Sequence, residues 1–147
     1  MSTYVREKVL RIPMDKMFGG LAWYDNKEWE TGEYLDDLGY YLEQRFKENY
    51  DYGTVGKFQS APTEEMYIDF VLEKEYDFDG EYGKTRALYN SEMNTFLPIF
   101  QRLNSNFNIE NMRDVRLVDF CWYNCTEAPD YYSDENDEFY KEVTWNN

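Results

Sequence analysis

Apolar and charged residues alternate along Met66 to Asp79. Met66, Ile68, Phe70, Leu72, Tyr76 and Phe78 fall on one parity. Asp69, Glu73, Glu75, Asp77 and Asp79 fall on the other, with Tyr67 and Val71 among them. A period of two with one apolar side marks a half-buried strand. The run closes at Asp79-Gly80, a strong short-range hairpin signal. The pattern therefore predicts a hairpin over Met66 to Tyr89. With Asp79 and Gly80 as its turn, Phe78 faces Glu81, Glu75 faces Lys84, Glu73 faces Arg86 and Val71 faces Leu88. Two opposite-charge pairs and one apolar pair favour that register.

The same reading places the other elements. Tyr4 to Ile12 is a first strand, with Val5 and Val9 on one face and Leu10 and Ile12 on the other. Pro13 ends it, since proline cannot donate to a ladder. The strand's basic residues, Arg6, Lys8 and Arg11, are expected to offset the acid stripe across a sheet. Met14 to Glu30 is a connection with Gly19-Gly20 at a turn, and its length suggests a short helical turn or an interaction loop. Thr31 to about Asn49 carries Leu35, Leu38, Leu42 and Phe46 as one helical stripe, with Thr31 as N-cap. Met93, Phe96, Leu97, Phe100 and Leu103 mark a second helix. Pro98 either opens that helix near Thr95 or kinks a longer one from near Ser91. Asp114 to Cys125 is apolar on both parities, which reads as a central strand covered on both faces.

The order strand, helix, strand, strand, helix, strand is ferredoxin-like. It predicts one α+β domain over residues 1–125, an antiparallel sheet with two helices on one face. Thr126 to Asn147 changes character. Acids dominate it, while Phe139, Val143 and Trp145 suggest a short acidic helix from Ser133 docked on the same domain.

Composition narrows the chemistry. The formal charge is −15, and a fifth of the residues are aromatic. Nucleic acid and anionic membranes are thereby disfavoured as direct ligands, and a basic partner is the natural complement. No run reaches membrane-spanning length and no signal segment opens the chain, so a cytoplasmic location is expected. The chain has no His, which removes Ser-His and Cys-His nucleophiles. Cys121 and Cys125 are read as reduced, buried thiols, and a zinc site lacks further soft ligands. Glu75-x-Asp77-x-Asp79-Gly80 resembles half an EF-hand loop, but its twelfth position is Arg86. Neither metal nor cofactor is expected. Carboxylate pairs abound, yet nothing in the sequence marks one as an acid and base. The expectation is a protein that is not an enzyme.

The acidic surface is the remaining signal. Alternate carboxylates on a strand stand roughly 6.6 Å apart. Duplex DNA carries one charge per about 1.7 Å of axis. Acids on a fixed scaffold therefore present a sparser lattice of negative charge that a Lys- and Arg-lined groove attracts. A solvated face that keeps the protein soluble is the plainer account. Local density favours the first: Glu73, Glu75, Asp77, Asp79 and Glu81 form one cluster, and Asp130, Asp134, Glu135, Asp137 and Glu138 form another. Tyr82, Tyr131, Tyr132 and Trp145 are candidate anchors beside them.

In size and charge the chain resembles the small acidic inhibitors that phages and mobile elements make against restriction or CRISPR nucleases. The resemblance spans the whole chain, rests on composition, and carries no functional residues over. It implies a basic nucleic-acid-binding partner, occupied in competition with DNA or RNA inside a bacterial host cell. Two other readings stay open: an adaptor domain that binds a protein or peptide through the aromatic loop Trp23 to Trp29, and a carboxylate-based enzyme.

Overall fold

A computed structural model describes residues 3–27, 40, 42, 44, 55–63, 65–126 and 128–132. Five strands form one antiparallel sheet: β1 (Tyr4–Pro13), β2 (Phe58–Ser60), β3 (Tyr67–Phe78), β4 (Tyr82–Ala87) and β5 (Arg116–Tyr123). Their spatial order is β2-β3-β1-β5-β4. Helices α1 (Met14–Phe18), α2 (Ala22–Asp25) and α3 (Asn90–Gln101) accompany it, with a 3-10 turn at Asn111–Asp114. The fold is thus α+β, and no described helix is long and apolar enough to cross a membrane.

The strand order corrects the expected hairpin. β3 and β4 follow each other in sequence but do not pair. β3 pairs with β1, β1 with β5, and β5 with β4. The register Glu75–Lys84 and Glu73–Arg86 is therefore absent. Glu75 instead stands opposite Arg6 and Glu73 opposite Lys8, while Lys84 stands opposite Asp119. The ferredoxin-like arrangement would seat β4 beside β3, and it does not hold here. Its physical weakness was degeneracy, because β1 and β4 offer β3 the same complement of Lys and Arg. Asp79 to Glu81 must instead cross the ends of β1 and β5. Three strand spacings are about 14 Å when flat, near the full reach of four Cα steps. The sheet coils at this end, and the Phe78 and Tyr82 rings come to 6.1 Å. Gly80 takes φ +87, a turn conformation that suits glycine.

Two bulges interrupt β3. The β1–β3 register slips at Lys8/Val9 and at Tyr4/Val5, leaving Leu72 and Asp77 as the extra residues. A bulge reverses the side-chain parity that follows it. Ile68 and Phe70 share a face with Leu10 and Ile12. Beyond Leu72 that face is taken by Glu73 and Glu75, while Lys74 and Tyr76 turn to the other. A single apolar side along the whole of β3 is thereby corrected.

The first face packs on the helices. Leu10, Ile12, Phe58, Phe100, Met112 and Leu117 belong to its core, and each large apolar side chain buried there contributes about 1.5–3 kcal/mol. α3 is the longer of the two alternatives, running from Asn90 with Pro98 inside. Its start is fixed by Glu92, which accepts the Tyr89 backbone N–H at 2.9 Å and both terminal nitrogens of Arg86. The predicted helix Thr31–Asn49 lies outside the described residues except at Tyr40, Leu42 and Gln44. These are helical, and Leu42 is buried in the same core. In the aromatic connection Phe18 meets Trp23 at 5.0 Å and Tyr24 is buried, while Trp29 lies outside the described residues.

The second face has a smaller core of Val9, Val71, Val118, Phe120 and Trp122. Ala128 and Tyr131 cover it, so the C-terminal segment begins as a strap across β5, as the double-sided apolar pattern of that strand requires. Cys121 is buried, whereas Cys125 is exposed, which corrects the expectation of two buried thiols.

Candidate binding surface

Arg6 organises the coiled end of the sheet. It sits on central strand β1, with β3 on one side and β5 on the other. Its Nε donates to the Tyr82 hydroxyl at 2.8 Å and to Asp119 Oδ1 at 3.0 Å. Its Nη2 donates to Asp119 Oδ2 at 2.9 Å. Its Nη1 faces Glu75 at 3.3 Å and Glu73 at 3.5 Å. Basic residues of the first strand thus offset the acid stripe, as the sequence suggested. The Asp119 hydrogen bonds hold the guanidinium above its ordinary pKa range. Burial, then the hydrogen bond to Asp119, pushes the Tyr82 hydroxyl up to about 12.

Around this hub the stripe is exposed. Glu73, Glu75, Asp77, Asp79 and Glu81 all face solvent. They lie along the second half of β3 and on the three-residue link that follows it, so this predicted group stays together. Asp77 sits at a bulge with φ +61 and accepts the Thr3 hydroxyl at 2.9 Å. Asp tolerates that left-handed conformation better than most side chains. The backbone is therefore pinned while the carboxylates stay accessible.

The other predicted positions fall elsewhere. Tyr82 is half-buried and spent on Arg6 and Asp119. Asp130 lies at the opposite end of β3, where it accepts the Tyr67 hydroxyl at 2.9 Å. Tyr131 packs on Phe120 with ring centroids 5.9 Å apart, and Tyr132 stacks on Tyr67 at 5.2 Å. These two tyrosines hold the strap to the sheet, and Tyr131 lies within reach of the Glu81 charge. Asp134, Glu135, Asp137, Glu138 and Trp145 lie outside the described residues. Sequence reading missed Tyr76, which is 53% exposed on the face of β3 opposite to Glu73 and Glu75. Only the bulge at Leu72, which parity counting skips, would have moved it off the apolar side.

A second group of charges is hidden. Glu7, Arg11 and Asp69 are fully buried on the second face. Arg11 Nε and Nη2 donate to the two Asp69 oxygens at 2.8 and 2.9 Å. Glu7 accepts Gln59 Nε2 at 3.0 Å and Trp122 Nε1 at 3.2 Å, with Lys74 Nζ at 3.8 Å. Burial pushes the Glu7 carboxyl up, against the pull of Lys74. An acid–base site would place such a carboxylate in a cleft. The pocket of about 250 Å³ beside Leu21, Trp23 and Gln101–Asn106 has no carboxylate in its lining. Glu7 does not line this pocket.

No protein-family model, curated protein or solved structure matches this chain.

Proposed function

We propose that the protein is a non-enzymatic inhibitor that occupies the basic DNA- or RNA-binding groove of a partner, a nuclease of a host defence system, as a nucleic-acid mimic. The observation that carries this reading is the exposed series Glu73, Glu75, Asp77, Asp79 and Glu81 on a backbone fixed by a bulge and by Arg6. Fixed charges lose little freedom on docking, and that loss is a main cost of association. Arg6 holds Glu73 and Glu75 at longer distances than Asp119. Incoming Lys or Arg groups can take over those two carboxylates while Asp119 retains the hub.

The test is inhibition and co-purification with a charge-reversed chain carrying Glu73→Lys, Glu75→Lys, Asp77→Lys, Asp79→Lys and Glu81→Lys. The reading expects the wild-type chain to block nucleic-acid binding by its partner and the reversed chain to lose that effect while staying folded. Retention of full inhibition by the reversed chain would overturn it.

A further inference from the structure

The strap of residues 128–132 is bound to the second face of the sheet as a peptide ligand would be. Its backbone enters by the Ala128 N–H, which donates to the Pro62 carbonyl at 2.8 Å. Tyr131 then lies flat against Gly83 of β4, so closely that a Cβ there would stand 2.1 Å from the ring. Tyr132 stacks on Tyr67, lies under Arg116 at 5.7 Å and donates its hydroxyl to the Asp114 carbonyl. The carboxylate of Asp130 accepts the Tyr67 hydroxyl and, at 2.8 Å, the Tyr132 N–H.

Beneath the strap Arg11 lies between the two rings that carry it. Its guanidinium carbon is 4.9 Å from the Phe120 ring and 5.6 Å from the Tyr67 ring. Nε and Nη2 are spent on Asp69, while the fully buried Nη1 has no hydrogen-bond partner. A buried donor left unmade costs about 1–3 kcal/mol. Asp130 is close enough to act on Arg11 through its charge, yet it spends its oxygens on Tyr67 and Tyr132. The strap is therefore an incomplete ligand for the surface it covers. In a chain of net charge −15, that surface joins Arg11 and Arg116 to Tyr67 and Phe120.

We propose that this face is a docking groove for an extended acidic-aromatic peptide, occupied in cis by Asp130-Tyr131-Tyr132 and open in trans when the strap lifts. The partner it fits presents a carboxylate followed by aromatic side chains. The strap is an autoinhibitory self-ligand, and a competitor gains over it by reaching Arg11.

The experiment uses the full chain and a fluorescein-labelled peptide with the sequence of Thr126 to Ser133, read by fluorescence anisotropy. Tyr132→Ala takes the strap's ring off Tyr67 and Arg116 and leaves the groove itself unchanged. Apparent affinity scales with the fraction of chains whose groove is open. Uptake is expected to tighten about tenfold or more over wild type, and to fall back when Arg116→Ala is added. A peptide with Ala in place of Asp130 and Tyr132 is expected not to bind. Should Tyr132→Ala fail to fold, Tyr131→Ala also opens the groove from the strap side and decides alone. Folded variants that take up the peptide no better than wild type would overturn the proposal. So would conversion to a dimer without peptide uptake, since the strap would then exchange between copies.

Discussion

Glu75 stands opposite Arg6 on β1, with its Oε1 3.3 Å from the guanidinium, and not opposite Lys84. That pairing puts a strand cation under the acid stripe and sends β4 to the far edge of the sheet.

Arg6→Met removes the hub. Asp119, Glu73 and Glu75 then lose the guanidinium they share, and Lys8, opposite both Glu73 and Asp119, is left on β1 between those two. Asp119 is mostly buried, so the loss is expected to be about 1–3 kcal/mol, and larger at low salt than at high salt. Urea unfolding at two ionic strengths checks it. An unchanged midpoint would show that the hub does not hold this end together.

The Arg11–Asp69 pair is bidentate and fully buried. Breaking it by Asp69→Ala leaves a buried guanidinium uncompensated, and a loss of about 3–5 kcal/mol is expected. Arg11→Met combined with Asp69→Leu should recover most of that. A double-mutant cycle read by denaturant unfolding checks both statements.

Glu7 makes stability pH-dependent with a definite sign. Burial raises its pKa in the folded chain above the ordinary 4.5. The folded state therefore holds the proton more tightly than the unfolded one. Its contribution is fully present below the unfolded value and declines as pH rises through the folded one. The stability of wild type minus that of Glu7→Gln should fall steadily from pH 4.5 upward. Chemical denaturation at four pH values reads the trend. A difference that rises with pH would mean that Lys74, Trp122 and Gln59 outweigh burial.

Asp77 occupies a left-handed backbone conformation at a bulge. Asp77→Asn should be nearly neutral, and Asp77→Val should cost about 1–2 kcal/mol, since β-branched side chains fit that region poorly. Thermal unfolding of the two variants checks the contrast.

These sites also show what was legible in the chain. The apolar residues of β1, β5 and α3 announced themselves by period, and the antiparallel α+β class followed from them. Alternation failed at Leu72 because one extra residue reverses every parity beyond it, and bulges leave no mark in composition. Asp79-Gly80 misled because a turn dipeptide fixes a local reversal, not the strand that waits beside it. Glu73 and Glu75 found their cations on β1 because Arg6 and Lys8 offer the same charges as Lys84 and Arg86. The acid stripe was visible as a group, since neighbours along one strand stay neighbours in any fold. Its separation from Asp130 was not, because that depends on where the strap crosses the sheet. Buried Arg11 shares parity with Val5 and Val9, and that was the one available sign of its burial.

The most direct measurement is capture on the immobilised protein from a lysate of its native host at low salt, repeated with heparin as a competing polyanion. Screening weakens exposed charge contacts over about 10 Å at 0.1 M salt. The account predicts recovery of a nucleic-acid-binding protein that heparin and moderate salt both displace. A partner that heparin leaves in place, or that the chain reversed at Glu73, Glu75, Asp77, Asp79 and Glu81 captures equally well, would contradict it.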